Sequence, residues 1–530
     1  MDAPTVCILT AGKGTRMGAL GSGLNKALLP LGQEAVISHI IKRFPPEAEF
    51  VIALGYHGAQ VRAYLSAAHP AGRLHFVEVD RYEGSGSGPG YSLSLCEPLL
   101  QKPFFFVSCD TLWDGDIPFN ADRNWFGTAV VPPEEAPSYC NFALAAATAD
   151  SAPLILDIFD KTTPPACRAE AFIGLCFIHD YGAFWPSLKK DILVGGEHQI
   201  SNGIRALVEN KTAEARTLEW TDLGTEARFH KAAAKFQEYD FSKVGEFLYI
   251  VNGRVVKFFE NASIVQKRVA RARLNPSVFP EIAFCSGQFY AYDFVPGKTL
   301  YQENSPAIFR KLLSWLEQNL WKAEGVTAAG FEAHCEAFYR AKTFERIAFY
   351  HQKYPGSDVA SVINGESVAS VSSLLGGVPW PRLLNGRSTF FHGDLQFDNI
   401  IYDRAGDAFL LLDWRQDFGG DVNSGDQYYD LAKLNGGILL AYDFIKKGLF
   451  AYEESGAEIT FDFASRHLAG EYFGILRAFV QEQGLDWERV NLMTALIFLN
   501  MAPLHHYPFD KLLYALGRQS LQGALHESAR

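Results

Sequence analysis

The sequence predicts an α/β chain in two parts, a doubly wound, mostly parallel sheet first and an α+β unit second. Three observations predict it. Short β-rich runs alternate with helical patterns up to about residue 230, and long helical patterns dominate from about residue 300. Two separate sets of chemistry-bearing residues stand toward the two ends of the chain.

In chain order, Val6-Cys7-Ile8-Leu9 reads as a buried strand and Val36 to Phe44 as a helix. Phe50 to Leu54, His75 to Val79 and Phe104 to Val107 read as further strands, the last ending at Ser108-Cys109-Asp110. Alternation of this kind covers both faces of a sheet with helices, and ligands then bind beyond the carboxyl ends of the strands. The glycine-rich loop after Leu9 and Asp110 both stand at such ends. Glu226 to Gln237 reads as helical and no Gly/Ser linker marks the junction, so the two parts are expected to pack rather than hang on a tether. Phe247 to Val251, Asn252-Gly253 and Arg254 to Phe259 spell a hairpin with an Asn-Gly turn. Phe309 to Trp321, Phe331 to Gln352 and Ala464 to Gln483 read as helices, interrupted by a β-type stretch from Ser388 to Asp413. No internal repeat is visible.

Composition narrows the class. At roughly 150 residues per domain, 530 residues suggest two to four domains. Hydrophobic residues at 48% and charged residues at 20% are ordinary for a globular chain, and 41 Phe with 22 Tyr argue against a disordered scaffold. A net charge of -12 has the wrong sign for a nucleic-acid-binding protein, although a small anion needs only a local basic pocket. No apolar run approaches the roughly 18 residues that span a bilayer, and Met1-Asp2-Ala3-Pro4 offers no basic leader, so membrane insertion is not expected. The eight cysteines are scattered without a C-x-x-C pair, which indicates neither zinc nor a disulfide framework. A reducing, cytoplasmic location is the expectation.

The first motif set is Leu9-Thr10-Ala11-Gly12-Lys13-Gly14-Thr15-Arg16-Met17-Gly18, followed by Asn25-Lys26-Ala27-Leu28-Leu29-Pro30. A strand opening into a glycine loop exposes backbone N–H groups that can cradle phosphates, and Lys13, Arg16 and Lys26 add positive charge. The spacing is neither G-x-G-x-x-G nor G-x-x-x-x-G-K-[ST], and the loop alone reads equally as turn chemistry. In combination, residues 1–230 resemble the nucleotidyltransferase superfamily of sugar-phosphate and phosphocholine nucleotidylyltransferases, with a Rossmann-like fold. The resemblance implies catalytic roles for Lys13, Arg16 and Lys26, metal-binding roles for Asp110 and Asp222, and nucleotide contacts from Ala11, Gly12, Gly14 and Thr15. The family's usual Pro-Lys is Asn25-Lys26 here.

Asp160-Lys161 and Gly174 fall where the family contacts substrate, and Gly88 and Tyr91 lie in Tyr82 to Leu93, where the superfamily reads the base. The Tyr91-Ser92-Leu93 ending looks like the phosphocholine cytidylyltransferase branch, which favours CTP, while many sugar enzymes have Gly-Thr-Ala. Tyr139, Phe142, Trp185 and Trp220 are candidates for an aromatic box around a quaternary ammonium, Tyr139 and Trp185 first among them, although aromatic residues at strand ends are more often core.

The second motif set is His392-Gly393-Asp394, Asn399 five residues on, and the run Phe409 to Leu412 ending in Asp413-Trp414. Phosphoryl transfer needs one Asp to orient a hydroxyl, and an Asn and an Asp to hold Mg²⁺ on the phosphates. Residues 236–530 resemble the aminoglycoside phosphotransferase and choline kinase family, which implies a bilobal, protein-kinase-like domain. On that match Asp394 is the catalytic base, Asn399 and Asp413 are metal ligands, and His392 supports the loop. Lys257 matches the ATP-phosphate lysine, Asp293 and Val295 the hinge, and Trp414 a substrate contact. No full glycine-rich loop precedes the hairpin, and Ile264 to Leu274 holds no glutamate for Lys257; Glu260 and Glu281 stay unplaced. Arg415 to Asp430 suits a cationic amine or a polyol, or is structural, with Asp430 as a helix cap. His505-His506 reads as packing or surface.

Together the two resemblances imply a bifunctional enzyme with Mg²⁺, ATP and CTP. A kinase phosphorylates a small alcohol, amino-alcohol or sugar, and a cytidylyltransferase converts the product to a CDP-activated compound for cell-surface polysaccharide or headgroup synthesis. The alternative is a sugar 1-kinase joined to a UTP- or GTP-dependent sugar-1-phosphate nucleotidylyltransferase. A third is that one half is a degenerate regulatory module, against which intact Asp110, Asp222, Asp394, Asn399 and Asp413 argue. The expected partners are small-molecule substrates; assembly into a homo-oligomer is left open.

Overall fold

A computed structural model describes residues 3–146, 152–164, 168–235, 245–323 and 330–528. The expected domain start at residue 236 and the helix end at Gln237 lie outside them. The chain divides into two compact units: residues 1–237, 245–260 and 284–291, and residues 238–244, 261–283 and 292–530.

The first unit is built on β1 (Thr5–Leu9), β2 (Glu49–Leu54), β3 (Arg73–Glu78), β4 (Phe104–Ser108), β5 (Asn124–Ala129), β6 (Cys140–Leu144), β7 (Ile155–Asp160), β8 (Ala169–Ile178) and β9 (Ala213–Thr217). These nine strands form one mixed sheet with the path β7-β6-β8-β4-β1-β2-β3, β5 lying beside β8 and β9 beside β5. The run β4-β1-β2-β3 is parallel, as the alternation of strands and helices predicts. The remainder departs from that expectation, because β8 runs antiparallel to β4, β5 and β6. One long strand pairs first with β6 and then with β4, and it bends at Gly174, whose φ is +80°.

Side-chain alternation divides the apolar residues between the two faces of the sheet. In β1, Val6 and Ile8 join one core and Cys7 the other. Helix α1 (Val36–Ile41) is shorter than the expected Val36 to Phe44, and α2 (Gly58–Ala68) and α3 (Pro89–Leu95) follow β2 and β3. Three later helices are α4 (Tyr181–Leu188), α5 (Ser201–Glu209) and α6 (Glu226–Ala233).

The hairpin forms as read: β10 (Glu246–Val251) pairs antiparallel with β11 (Arg254–Phe259), with Asn252 and Gly253 at φ +50° and +72°. Its contacts group it with the first unit. Tyr249, Val251, Val256 and Phe258 join the same core as Val6 and Ile8, and the Tyr249 hydroxyl donates to the Leu28 carbonyl at 2.7 Å.

The second unit is mainly helical. Its working elements are α7 (Ala262–Leu274), α8 (Lys342–Lys353), α9 (Gln427–Leu439) and α10 (Trp487–Met501), with the short hairpin β12 (Ile400–Asp403) and β13 (Ala408–Leu411). The helix expected over Phe331 to Gln352 is broken by a π-helical stretch at Glu336–Ala341. The helix expected from Ala464 starts at Ala469 instead, after a strand at Glu458–Phe463. Asp426, not Asp430, caps α9 and accepts from the Tyr428 N–H. Among the described residues no helix is long and apolar enough to cross a membrane.

Candidate functional site

In the first unit, the carboxyl ends of β1 and β4 bring Lys26 and Asp110 together. Asp110 follows directly on β4, and Lys26 begins a short 3₁₀ turn whose cap is Asn25. The buried amide of Asn25 fixes the loop by donating to the carbonyls of Thr10 and Tyr56 at 2.9 and 2.7 Å. The Lys26 ammonium donates to Asp110 Oδ2 at 2.8 Å, and the Ser108 hydroxyl donates to Oδ1 at 2.6 Å. Burial alone would raise the Asp110 carboxyl, but Lys26, Ser108 and Arg16 overrule it and hold it at about 2. Burial likewise opposes the charge on Lys26, and Asp110 raises its pKa well above the usual lysine value.

Asp222 faces the same space. A Cβ placed on Gly224 would touch Asp222 Oδ1 at 3.0 Å and Asp110 Oδ2 at 3.5 Å, so the two carboxylates flank one point. Asp222 accepts from the Gly224 N–H, the Tyr139 hydroxyl and Arg228, at 2.7, 2.7 and 2.6 Å. A cavity of ≈ 220 Å³ opens beside them, with Arg16, Ser138, Tyr139, Asp160, Gln199 and Trp220 in its wall. Gly174 lines it too, and its lack of a side chain is required: a Cβ there would lie 2.8 Å from the Ser108 Cβ.

The other expected residues fall around or away from this cavity. Ala11 is buried behind Gly55, while Gly12, Lys13 and Thr15 are exposed, and a Cβ on Gly14 would lie 3.4 Å from the Lys26 side chain. Lys13 pairs with Glu83 at 3.1 Å on the surface. Gly88 caps α3 at φ +118° with His198 O 2.6 Å from where its Cβ would stand, and the Tyr91 hydroxyl donates to Asp80. Lys161 is exposed and paired with Glu197 at 3.2 Å, while its N–H donates to the Tyr139 carbonyl.

The aromatic box does not assemble. Trp185 is 3% exposed, stacks on Phe104 at 5.3 Å and donates its indole N–H to the Leu100 carbonyl, as a helix-on-sheet core residue does. Phe142 is fully buried in the same core. Tyr139 and Trp220 meet edge to face at 5.3 Å, and the Arg228 guanidinium already lies 5.6 Å from the Tyr139 ring.

In the second unit, β12 and β13 pair so that Ile400 faces Leu411, which sets Asn399 and Asp413 at neighbouring strand ends. The Leu412 N–H donates to the Asn399 carbonyl at 2.8 Å, and the Asn399 amide donates to the Asp394 carbonyl at 2.8 Å. His392 is buried and held uncharged, its pKa lowered by burial to about 4. One ring nitrogen meets the Leu412 carbonyl at 2.8 Å and the other accepts from the Asp394 N–H at 3.1 Å. Asp430, fully buried on α9, accepts from the N–H groups of His392 and Gly393 at 2.7 Å each and from the Trp321 indole at 3.1 Å. Its burial raises its pKa to about 6.

Sequence reasoning missed the partners of these carboxylates. Lys433, almost fully buried on α9, lies 2.8 Å from Asp394 Oδ1. Arg268 on α7 lies 3.3 Å from Asp413, which adopts φ +58°. Arg228, on Asp222, was missed as well. Lys433 and Arg268 reach their partners by the packing of a helix, whereas Arg228 stands only six residues after Asp222. Of the remaining expected residues, Lys257 is 4% exposed on β11, Asp293 is exposed, and Val295 half-buried. Trp414 is fully buried, with its indole N–H donating to the Arg268 carbonyl at 2.8 Å and its ring 4.7 Å from Phe279. It is a core residue, not a substrate platform.

Residues 6–117 match the MobA-like NTP transferase domain family. That match lies within the N-terminal unit. Among solved structures, apo UDP-glucose pyrophosphorylase is 15% identical, covering 44% of this chain and 98% of its own at a TM-score of 0.39. A glucose-1-phosphate thymidylyltransferase from Bacillus anthracis is 19% identical, covering 46% and 98% at 0.36. CTP:phosphocholine cytidylyltransferase from Streptococcus pneumoniae is 17% identical, covering 44% and 100% at 0.35. No curated protein matches the chain in sequence.

Proposed function

We propose that the chain is a bifunctional enzyme in which a kinase phosphorylates a small hydroxyl compound with ATP and a cytidylyltransferase joins that phosphate to CMP. The domains would correspond to residues 1–230 and 236–530. The observation that carries the first half is the Lys26–Asp110 pair, facing Asp222 and Arg16 across one cavity. A phosphate oxygen of the acceptor attacks the α-phosphorus of the nucleoside triphosphate, and pyrophosphate leaves. Lys26 and Arg16 meet the charge that develops on the phosphates, and the Ala11 to Thr15 loop offers N–H donors. Two facing carboxylates fit Mg²⁺, which commonly takes one or two carboxylates and completes its shell with phosphates and water. Asp110 and Asp222 would hold the ion, which supplies charge neutralisation at the α-phosphate when bound.

The acceptor side of the cavity favours a hydroxyl-bearing phosphate over a quaternary ammonium. Ser138, Asp160, Gln199 and Ser201 offer hydrogen bonds there, and Tyr139 is already engaged by Asp222 and Arg228. For this reason a sugar 1-phosphate with UTP or GTP stands as a second reading. In the second unit, Asp394 would orient the attacking hydroxyl, with Asn399 and Asp413 as the Mg²⁺ ligands. The support is the interlocked loop of His392, Asp394, Asn399 and Asp430. Pyrophosphate release with CTP, UTP, GTP and ATP against a panel of alcohol and sugar phosphates tests the first half. Turnover with CTP and an alcohol or polyol phosphate is expected. Turnover only with UTP or GTP and a sugar 1-phosphate selects the second reading, and none with any pair overturns both.

A further inference from the structure

The surroundings of Asp394 carry an imbalance of charge. Lys433 neutralises Asp394 at 2.8 Å, and Arg415, whose backbone N–H donates to the His392 carbonyl at 2.9 Å, brings a further cation to the same loop, with Lys342 beside it over a shared ring. Lys342 opens α8 immediately after the π-helical stretch, a distortion that recurs at functional sites. Its ammonium lies 4.1 Å from the centre of the Phe338 ring and 5.9 Å from that of Tyr429. The Arg415 guanidinium lies 4.9 Å from the same Phe338 ring, so one aromatic side chain underlies two cations. Arg346 stands one turn along α8 from Lys342.

Among the described residues, none of Lys342, Arg346 and Arg415 has an ion-pair partner, and all three are half-buried. The Arg415 Nε is buried without a hydrogen-bond acceptor. Burial first, and then the repulsion of Arg415, Lys433 and Arg346, push the Lys342 pKa well below that of an ordinary lysine. Unpaired charge that is partly buried is costly, and a site that keeps three such cations around one aromatic ring and one loop lacks an anion. A choline-like acceptor would be repelled by the same groups.

We propose that the alcohol phosphorylated at Asp394 carries a negative charge of its own, a carboxylate or a phosphate, seated by Lys342, Arg346 and Arg415. This rests on the kinase reading above and names its substrate class. Arg415 lies two residues from Asp413 in sequence and Lys433 grips Asp394, so the anion would be held within reach of both. The anion fixes the molecule by its charged end and leaves its hydroxyl to Asp394, much as an ion pair on a remote group fixes a reacting one. The γ-phosphoryl of ATP passes to that hydroxyl oxygen, ADP leaves, and the hydroxyl proton goes to Asp394.

Two measurements on the full chain separate the inference from the reading beneath it. The first is lysine acetylation followed by mass spectrometry, with sulfate, glycerate, glycerol 3-phosphate or choline chloride present. Protection of Lys342 by five-fold or more with the anions, and none with choline, is expected. Protection by choline, or none by any anion, overturns the proposal. Comparison of glycerate with glycerol 3-phosphate tells a carboxylate site from a phosphate site. The second is ADP release with glycerol, glycerate, glycerol 3-phosphate, ethanolamine and choline. An anionic alcohol should exceed glycerol at least ten-fold in kcat/KM. In Lys342→Met its KM should rise about ten-fold, with the KM for ATP unchanged. Preferred turnover of choline or ethanolamine sinks the anionic acceptor but keeps the kinase. Anion protection without ADP release from any acceptor sinks the kinase reading and with it the substrate assignment.

Discussion

Asp110 in the first unit and Asp394 in the second are each gripped by a lysine at 2.8 Å, yet the two pairs differ in what surrounds them. Lys26 comes from the same motif as the glycine loop and reaches Asp110 across neighbouring strand ends. Lys433 comes from α9, and Asp394 from an irregular loop tied to that helix through Asp430. Around Asp110 the remaining groups are mostly neutral hydrogen-bonders lining a cavity. Around Asp394 the loop is held by Gln396, Asn399 and buried Asp430, with Arg415 bonded to the His392 carbonyl through its backbone N–H. A carboxylate–lysine pair therefore does not by itself define a substrate.

The largest effects should come from the carboxylates themselves. Asp394→Asn should lower ATP-dependent phosphorylation by roughly 10²–10⁴-fold, the span that a positioned acid–base group contributes, while pyrophosphate release by the first unit is unchanged. Asp110→Asn should do the reverse. If either variant disabled both activities, the two sites would not be the separate centres described.

Next in size are the lysines. Lys26→Met should cost nucleotidyl transfer about 10²-fold or more, because it removes a charge aimed at the phosphates as well as the partner of Asp110. Lys433→Met is expected to cost less in kcat at high pH than at low pH, since Lys433 acts through Asp394. A flat loss across the profile would mean that Lys433 merely supports the fold.

A smaller effect follows from the Asp110 carboxyl, held at about 2 against an ordinary value of about 3.9. A depressed carboxyl contributes stability that is present above the ordinary value and is lost as pH falls through the folded one. Between pH 5 and pH 2, hydrogen exchange of peptides covering Phe104 to Asp110 should therefore accelerate. The acceleration should be weaker in Lys26→Met, where the largest cause of the depression is removed. Equal acceleration in both proteins would place the acid sensitivity elsewhere.

The smallest effect separates core from site. Trp185→Phe should leave the KM of both activities within about two-fold while costing about 1–3 kcal/mol of stability, from the cavity left in a packed core and the lost indole hydrogen bond to Leu100. A KM change for the phosphate acceptor would return Trp185 to the substrate site.

Much of the first unit was legible. The order of strands and helices, the glycine loop and the placement of Asp110 at a strand end are local facts written in periodicity and spacing, and the structure has them where the sequence puts them. The antiparallel course of β8 was not, because pairing direction depends on which strands meet and not on the strand's own pattern. Trp185 and Trp414 read as site aromatics because an aromatic residue has the same letter in a core and in a pocket.

The sequence by itself determined the backbone patterns and the motif carboxylates, since propensity, turn chemistry and motif spacing act over a few residues. Tertiary structure alone decided the partners Arg268 on Asp413 and Lys433 on Asp394, and the approach of Arg415 to the Phe338 ring. Ion pairs and cation–π contacts fall off within a few ångströms, so they exist only where packing brings groups together that lie far apart along the chain. The same holds for the hairpin of β10 and β11, whose turn is local but whose core partners, β1 and the carbonyl of Leu28, lie more than two hundred residues away.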